Sequence, residues 1–290
     1  MTPLPETISL VLRSYNEAWA LEDTLKAVFS QDFRGTIELI VIDSASTDGS
    51  HEIIRRYNPK EFIILQAGSY VPGTVLNQGF DLATNEWVVF LNSDATPANE
   101  KWLTQLLQAA VDTPNLGAAF SQQIPRQDCQ AVFAHDYARC FGPERESGQW
   151  DHFFSMVSCV AYKPTWAHHP IREDLHYAED DEWTRRLKAA GYPIVMAENS
   201  IVTHSHNYTP AQAYQRAKGD AMAIAQAGHS PPIKRNRFCQ VWLPVIKDTL
   251  RDFNYCRRTQ QLDQFYHAFR VRYQQRLGQA HGDQEGCSNG

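Results

Sequence analysis

The chain has 290 residues, 43% of them hydrophobic, enough for one large α/β domain or one domain with an appendage. A formal net charge of -6 argues against a general nucleic-acid binder, and no apolar run approaches the roughly 18 residues of a membrane-spanning helix. The six cysteines are scattered without a CxxC pair, and Met1 to Ser9 lacks the basic and apolar regions of a signal peptide, so a reducing, cytoplasmic setting is expected.

The first half alternates strand and helix. Ile8–Leu12, Ile37–Ile42, Phe62–Leu65 and Trp87–Leu91 are short apolar runs that read as strands. Between them, helical spacing marks Leu21, Leu25, Val28 and Phe29, then Ile53, Ile54 and Tyr57, then Leu76, Phe80 and Ala83 after the Pro72-Gly73 turn. Trp102 to Ala110 is a fourth helix, and Asn16 is expected to cap the first. This repeat predicts a mostly parallel central sheet with helices on both faces. The loops after three strands carry Tyr15-Asn16-Glu17, Asp43 and Asn92-Ser93-Asp94, and they converge on one edge if those strands are neighbours. Neither GxGxxG nor a P-loop motif is present, against a dinucleotide-binding Rossmann domain and against a P-loop enzyme.

Leu116–Gln122 and Phe154–Tyr162 read as further strands, with Cys159 a buried small residue rather than a nucleophile. Glu179-Asp180-Asp181-Glu182 opens a helix marked by Trp183, Leu187 and Ala190. Acids favour a helix N-terminus, but four in a row exceed what capping needs, and repulsion or burial would raise at least one pKa. Ile194–Met196 and Ser200–Thr203 are two short strand pieces leading to His204 and His206, whose spacing on extended chain points both rings one way. Ala211–Ala227 is an alanine-rich helix, broken by Gly228, Pro231 and Pro232. From Ile233 to Leu277, ten Lys/Arg stand against three Asp, with aromatics interleaved. That segment reads either as helices packed on the domain or on a second copy, or as a membrane-surface helix near an anionic leaflet. His281 to Gly290 reads as a disordered tail by composition.

Three stretches in order carry a family resemblance: Ser9 to Glu17 (Ser-Leu-Val-Leu-Arg-Ser-Tyr-Asn-Glu), Val41 to Ser50 (Val-Ile-Asp-Ser-Ala-Ser-Thr-Asp-Gly-Ser) and Phe90 to Pro97 (Phe-Leu-Asn-Ser-Asp-Ala-Thr-Pro). Together they resemble the family 2 glycosyltransferases of GT-A fold, most closely the rhamnosyltransferase-like branch that builds bacterial cell-surface glycans. The resemblance spans roughly residues 7–220. It implies a GT-A domain over 1–220, with a nucleotide-binding half to about residue 115 and an acceptor half from 116. A helical extension over 221–280 and the tail 281–290 would follow. It also implies a nucleotide-diphosphate-sugar donor, inverting transfer to a glycan or lipid-linked acceptor, and Mn2+ or Mg2+.

By the same resemblance, Tyr15 would line the base, Glu17 the ribose, and Asp43 would accept a hydrogen bond from the base. Arg13, Asn77, Asn92 and Ser93 join the nucleotide side, with Arg13 either reaching a phosphate or packing at its strand end. Asn92-Ser93-Asp94 stands where the family carries its DxD motif, so only Asp94 brings a full charge there. His204 or His206 would complete the metal site. Glu179-Asp180 matches the family's Glu-Asp element, which makes Asp180 the general base, with Asp181 as the alternative register and Glu179 orienting acceptor or base. Trp183 either stacks on a sugar or anchors its helix. Uridine or thymidine diphosphate sugars are expected ahead of guanosine ones. A homodimer and a membrane contact through the basic C-terminal region both stay open, and no nucleic acid is expected. The alternatives are a nucleotidyltransferase, which would want a Gly-rich, Arg/Lys-bearing loop after the first strand, and a non-catalytic binding protein that kept the fold.

Overall fold

The computed structural model describes residues 2–229, 236 and 238–288, so the expected break at Pro231 and Pro232 lies outside the described residues. The chain forms two compact units. The first is Met1–Ile124, Trp150–Asp174 and Glu179–His204; the second is Pro125–Gln149, Leu175–Ala178 and Ser205–Gly290. In chain order the first unit supplies β1 Thr7–Ser14, α1 Ala18–Phe29, β2 Thr36–Asp43, α2 Ser50–Arg56 and β3 Glu61–Ile64. It continues with α3 Pro72–Leu82, β4 Trp87–Asn92, β5 Thr96–Pro97, α4 Trp102–Val111 and β6 Ala118–Ile124. The second unit then supplies α5 Ala131–Phe141. The first resumes with β7 Ser158–Tyr162, α6 Lys163–His168, α7 Glu179–Ala189 and β8 Ile194–Thr203. The second ends with α8 Pro210–Gln226, a π-turn at Phe238–Trp242, α9 Leu243–Arg258 and α10 Phe265–Ser288.

The first unit is one eight-stranded sheet in the order β3-β2-β1-β4-β7-β6-β8-β5. Strands β3, β2, β1 and β4 are parallel neighbours, β7 runs antiparallel to both β4 and β6, and β8 returns parallel to β6. Ile8, Leu10 and Leu12 with Val89 and Leu91 pack against Leu21, Leu25, Trp102, Leu103 and Leu106 in the main core. The apolar runs of β1, β2 and β4, broken only by Ser9 and Glu38, which pair with each other, need cover on both faces, which is why these strands are central. The two strand pieces expected near residues 194–203 are one strand: the register slips between Ser121 and Gln122, so Ala197 and Ile201 face consecutive residues and the chain between them bulges. Pro97 is tolerated because β5 is the sheet edge.

In the second unit, α10 runs to Ser288, across the segment expected to be disordered. The composition that reads as a tail is a helix contact. Gly278, Gly282 and Gly286 are four apart on one face, and a Cβ on Gly282 would lie 2.2 Å from the Lys218 carbonyl oxygen of α8. Small residues at this spacing let two backbones approach; the alanines of α8 meet them, with Ala225 against Gly286. Pro125–Gln149, expected in the acceptor half of a domain over 1–220, belongs with these helices. The core of this unit includes Val132, Phe133, Ala213, Ala268 and Val271. Among the described residues, no helix is long and apolar enough to cross a membrane.

Candidate active site

The parallel registers bring three strand ends level. Ser14 faces Asp43, and Arg13 faces Asn92, so the loops after β1, β2 and β4 leave the sheet side by side. They are knitted by side chains. Asn16 does not cap α1; with its backbone at positive φ, its Oδ1 accepts from Thr47 N at 2.8 Å, and Asp48 accepts from Ala18 N in its place. Ser93 Oγ donates to Glu17. Asp43 is wholly buried and accepts from Ser46 N, Ser46 Oγ and His51 at 2.8, 2.6 and 2.8 Å. Three of the roughly four lone-pair directions of that carboxylate are therefore used within its own loop. Tyr15 stands exposed.

The end of β4 leads to Asp94. Because β5 pairs antiparallel with the end of β8, Thr96 against Thr203, the Asp94 loop lies beside His204. Asp94 is buried, and its Oδ2 is 3.5 Å from His204 Nε2. The tautomer of His204 is set from behind. Gln123 Nε2 donates to Ser155 Oγ at 2.7 Å, which turns Gln123 Oε1 toward His204 Nδ1 at 3.0 Å. Nδ1–H therefore donates to Gln123, and Nε2 faces the carboxylate. A lone pair facing a carboxylate oxygen is repulsive, so a cation belongs between them, either a proton or a metal ion. Two ligand atoms about 2.1 Å from one ion lie about 3.0–3.5 Å apart, so this nitrogen–oxygen set fits Mn2+ or Mg2+. His206 follows two residues on in the sequence, within the second unit.

The acidic run opens α7. Asp180 Oδ1 accepts from Asp181 N at 2.9 Å, and Oδ2 accepts from Met156 N at 3.4 Å. Burial raises its pKa above the usual carboxylate range, against these hydrogen bonds and the nearby Arg13 charge; the Asp181 carboxylate adds repulsion. Asp181 itself turns to Arg185 at 2.7 Å and stays half-buried. Arg13 Nη2 donates to Asn92 Oδ1 at 2.7 Å. Burial works against the Arg13 charge, yet Tyr70, Glu179 and Asp180 more than offset it and its pKa is raised. Glu179 is buried beside this group. The Cys159 thiol, fully buried, is pushed up to about 12, so it is no nucleophile at neutral pH.

Asn77, expected on the nucleotide side, is a packing residue instead, and of its two readings Trp183 takes that of a helix anchor. Asn77 accepts from Trp166 Nε1 and Ile171 N and donates to Ile171 O and Glu173 Oε1, which fills all four sites of its amide and leaves none for a nucleotide. Trp183 is fully buried, donates to His169 O at 2.7 Å and packs on Phe80 and Phe154, so it anchors α7 and has no face for a sugar. Gln123, Ser46 and His51 were not among the residues singled out from the sequence. Gln123 carries no motif signal; Ser46 and His51 lie in the polar loop and helix start after β2, and that density of capping residues could have pointed to them.

The profile of the family described as Glycosyl transferase family 2 matches residues 9–163, just over half of the chain. An O-antigen chain rhamnosyltransferase, WbaN of Salmonella anatum, is 29% identical over 222 residues, which is 72% of this chain and 70% of that protein. Among solved structures, the mannosyltransferase PcManGT of Pyrobaculum calidifontis, in complex with GDP-Man and Mn2+, superposes with a TM-score of 0.67 at 18% identity, covering 98% of this chain and 88% of that one. Glucosyl-3-phosphoglycerate synthase of Mycobacterium tuberculosis, with Mn2+, UDP and phosphoglyceric acid, gives 0.55 at 18% identity over 79% and 81% of the two chains. The motifs at the three strand ends, the sheet order and these matches agree: the chain belongs to glycosyl transferase family 2 and has the GT-A fold.

Proposed function

We propose that the protein is an inverting glycosyltransferase that moves a sugar from a nucleoside-diphosphate donor to a hydroxyl of a cell-surface glycan or its lipid-linked precursor. One observation carries the reading: the Asp94 carboxylate and His204 Nε2 meet 3.5 Å apart just past the carboxyl end of β4. Asp180 takes the proton of the acceptor hydroxyl. The freed oxygen attacks the anomeric carbon, and the bond from that carbon to the diphosphate oxygen breaks with its electron pair leaving on the phosphate. Glu179 and Arg13 flank Asp180 and orient it. Asp94 and His204 would hold Mn2+ or Mg2+, which when bound neutralises charge on the leaving diphosphate. Asn92 adds no charge, so the protein offers few ligands of its own and metal binds more tightly once donor phosphates are present.

Tyr15, Glu17, Asp43 and Ser93 form the nucleotide side, with uridine or thymidine diphosphate preferred. The likeness to an O-antigen rhamnosyltransferase supports a deoxyhexose donor of the rhamnosyl type and a cell-envelope product. The basic, aromatic C-terminal region supports peripheral contact with the inner face of the cell membrane. The test is incubation with a panel of nucleoside-diphosphate sugars, Mn2+ and envelope glycolipid, following release of the nucleoside diphosphate. Release from one donor class, stopped by a chelator, is expected. No release from any donor contradicts the reading.

A further inference from the structure

Helix α9 is built inside out. Its inward face carries two buried carboxylates, Asp248 and Asp252. Asp252 pairs with Arg272 at 2.7 Å and with His135 at 2.7 Å; burial works against its charge, but these hydrogen bonds more than offset it and hold its carboxyl below the usual range. Asp248 pairs with Arg276 at 2.6 Å. The outward face is apolar. Trp242, Leu243, Ile246, Leu250 and Phe253 are each 40–60% exposed, and helical spacing puts them within an arc of about 100°. A helix that satisfies its acids inside and turns its large apolar residues outward has reversed the usual arrangement, and an exposed apolar stripe of this size marks an interaction surface.

The charge around the stripe says what it meets. Lys247 and Arg258 project along one margin of the arc and Arg257 within it, all exposed. Two copies meeting through this face would set like basic margins against each other, since a two-fold interface pairs a patch with itself. An anionic headgroup layer over an apolar interior complements both features, with Trp242 suited to the boundary between them. We propose that the α9 face formed by Trp242, Leu243, Ile246, Leu250 and Phe253 docks on an anionic lipid surface. This deepens the membrane contact proposed above and rests on it, but it does not depend on the transfer chemistry.

The experiment uses the full chain and vesicles of phosphatidylcholine with or without phosphatidylglycerol, read by co-sedimentation. Wild type should bind the anionic vesicles, and binding should fall at least tenfold between about 50 and about 500 mM salt. Ile246→Glu/Leu250→Glu changes only outward side chains, so it should fold, give an unchanged melting temperature and nucleotide affinity, and lose at least about tenfold in vesicle affinity. Lys247→Glu/Arg257→Glu/Arg258→Glu should lose binding to anionic vesicles alone. If wild type binds neither vesicle, the membrane contact itself is wrong. If wild type binds but Ile246→Glu/Leu250→Glu binds equally, the contact is elsewhere and the α9 assignment is overturned. A concentration-dependent dimer that the same double variant abolishes, without vesicle binding, would assign the face to a second copy instead.

Discussion

Arg13 Nη2 donates a 2.7 Å hydrogen bond to Oδ1 of Asn92, the residue that stands first in the Asn-Ser-Asp motif. The neutral amide holds the guanidinium without claiming its charge, which stays available to Glu179 and Asp180. Burial raises the pKa of Asp180 while Arg13 lowers it, and the balance leaves Asp180 a weaker acid than an ordinary aspartic acid.

A pH profile follows from that balance. Asp180 must be ionised to accept a proton, so turnover should fall on the acid side with a limb above the usual aspartate range. Arg13→Gln removes the cation and should move that limb to higher pH, with a lower plateau. Steady-state rates across pH check this; an unmoved limb would remove Arg13 from the site.

The metal reading is tested through Gln123, which holds His204 from behind. Gln123→Ala frees His204 Nδ1 and unfixes its tautomer. Apparent Mn2+ affinity, measured by titration in the presence of nucleoside diphosphate, should fall about 10–100-fold. The maximal rate at saturating Mn2+ should change much less.

Asn77 separates packing from binding. Asn77→Ala strands the buried partners Trp166 Nε1 and Ile171 N, at a cost of about 1–3 kcal/mol for each unsatisfied group. The melting temperature should drop by several degrees, while nucleotide affinity of the folded protein, by calorimetry, stays within about twofold.

In the second unit, Gly282→Ala should lower the melting temperature because its Cβ meets the Lys218 carbonyl oxygen at 2.2 Å. The expected loss is about 1–3 kcal/mol. Gly148→Ala, where a Cβ meets nothing within 4 Å, is the matched control and should leave stability unchanged.

The sheet is readable because β1, β2 and β4 are mostly apolar runs that end abruptly in polar residues, a local signal. The reversed strand β7 was found but not its direction, since direction depends on pairing rather than on composition. The α8–α10 contact was hidden because Gly278, Gly282 and Gly286 read as loop residues unless their spacing of four is matched to the alanines of another helix. At the site, Asp94, His204 and Asp180 stood out as charged or imidazole groups beside strand and helix ends. Gln123 and the Arg13–Asn92 bond did not, because their roles lie in what they orient. Asn77 misleads for the opposite reason: a residue type common in ligand sites is here fully occupied by the protein.

The central claim is that Asp180 is the base, and Asp180→Asn tests it most directly. Because its folded pKa is raised, the ionised carboxylate costs stability as pH rises through that pKa; the neutral amide does not, so at pH 7 the variant should melt at a higher temperature than wild type. Calorimetry should give nucleoside-diphosphate affinity within about threefold of wild type, and single-turnover sugar transfer should fall by about a thousandfold or more. A folded, nucleotide-binding Asp180→Asn protein that transfers sugar at the wild-type rate would contradict the account.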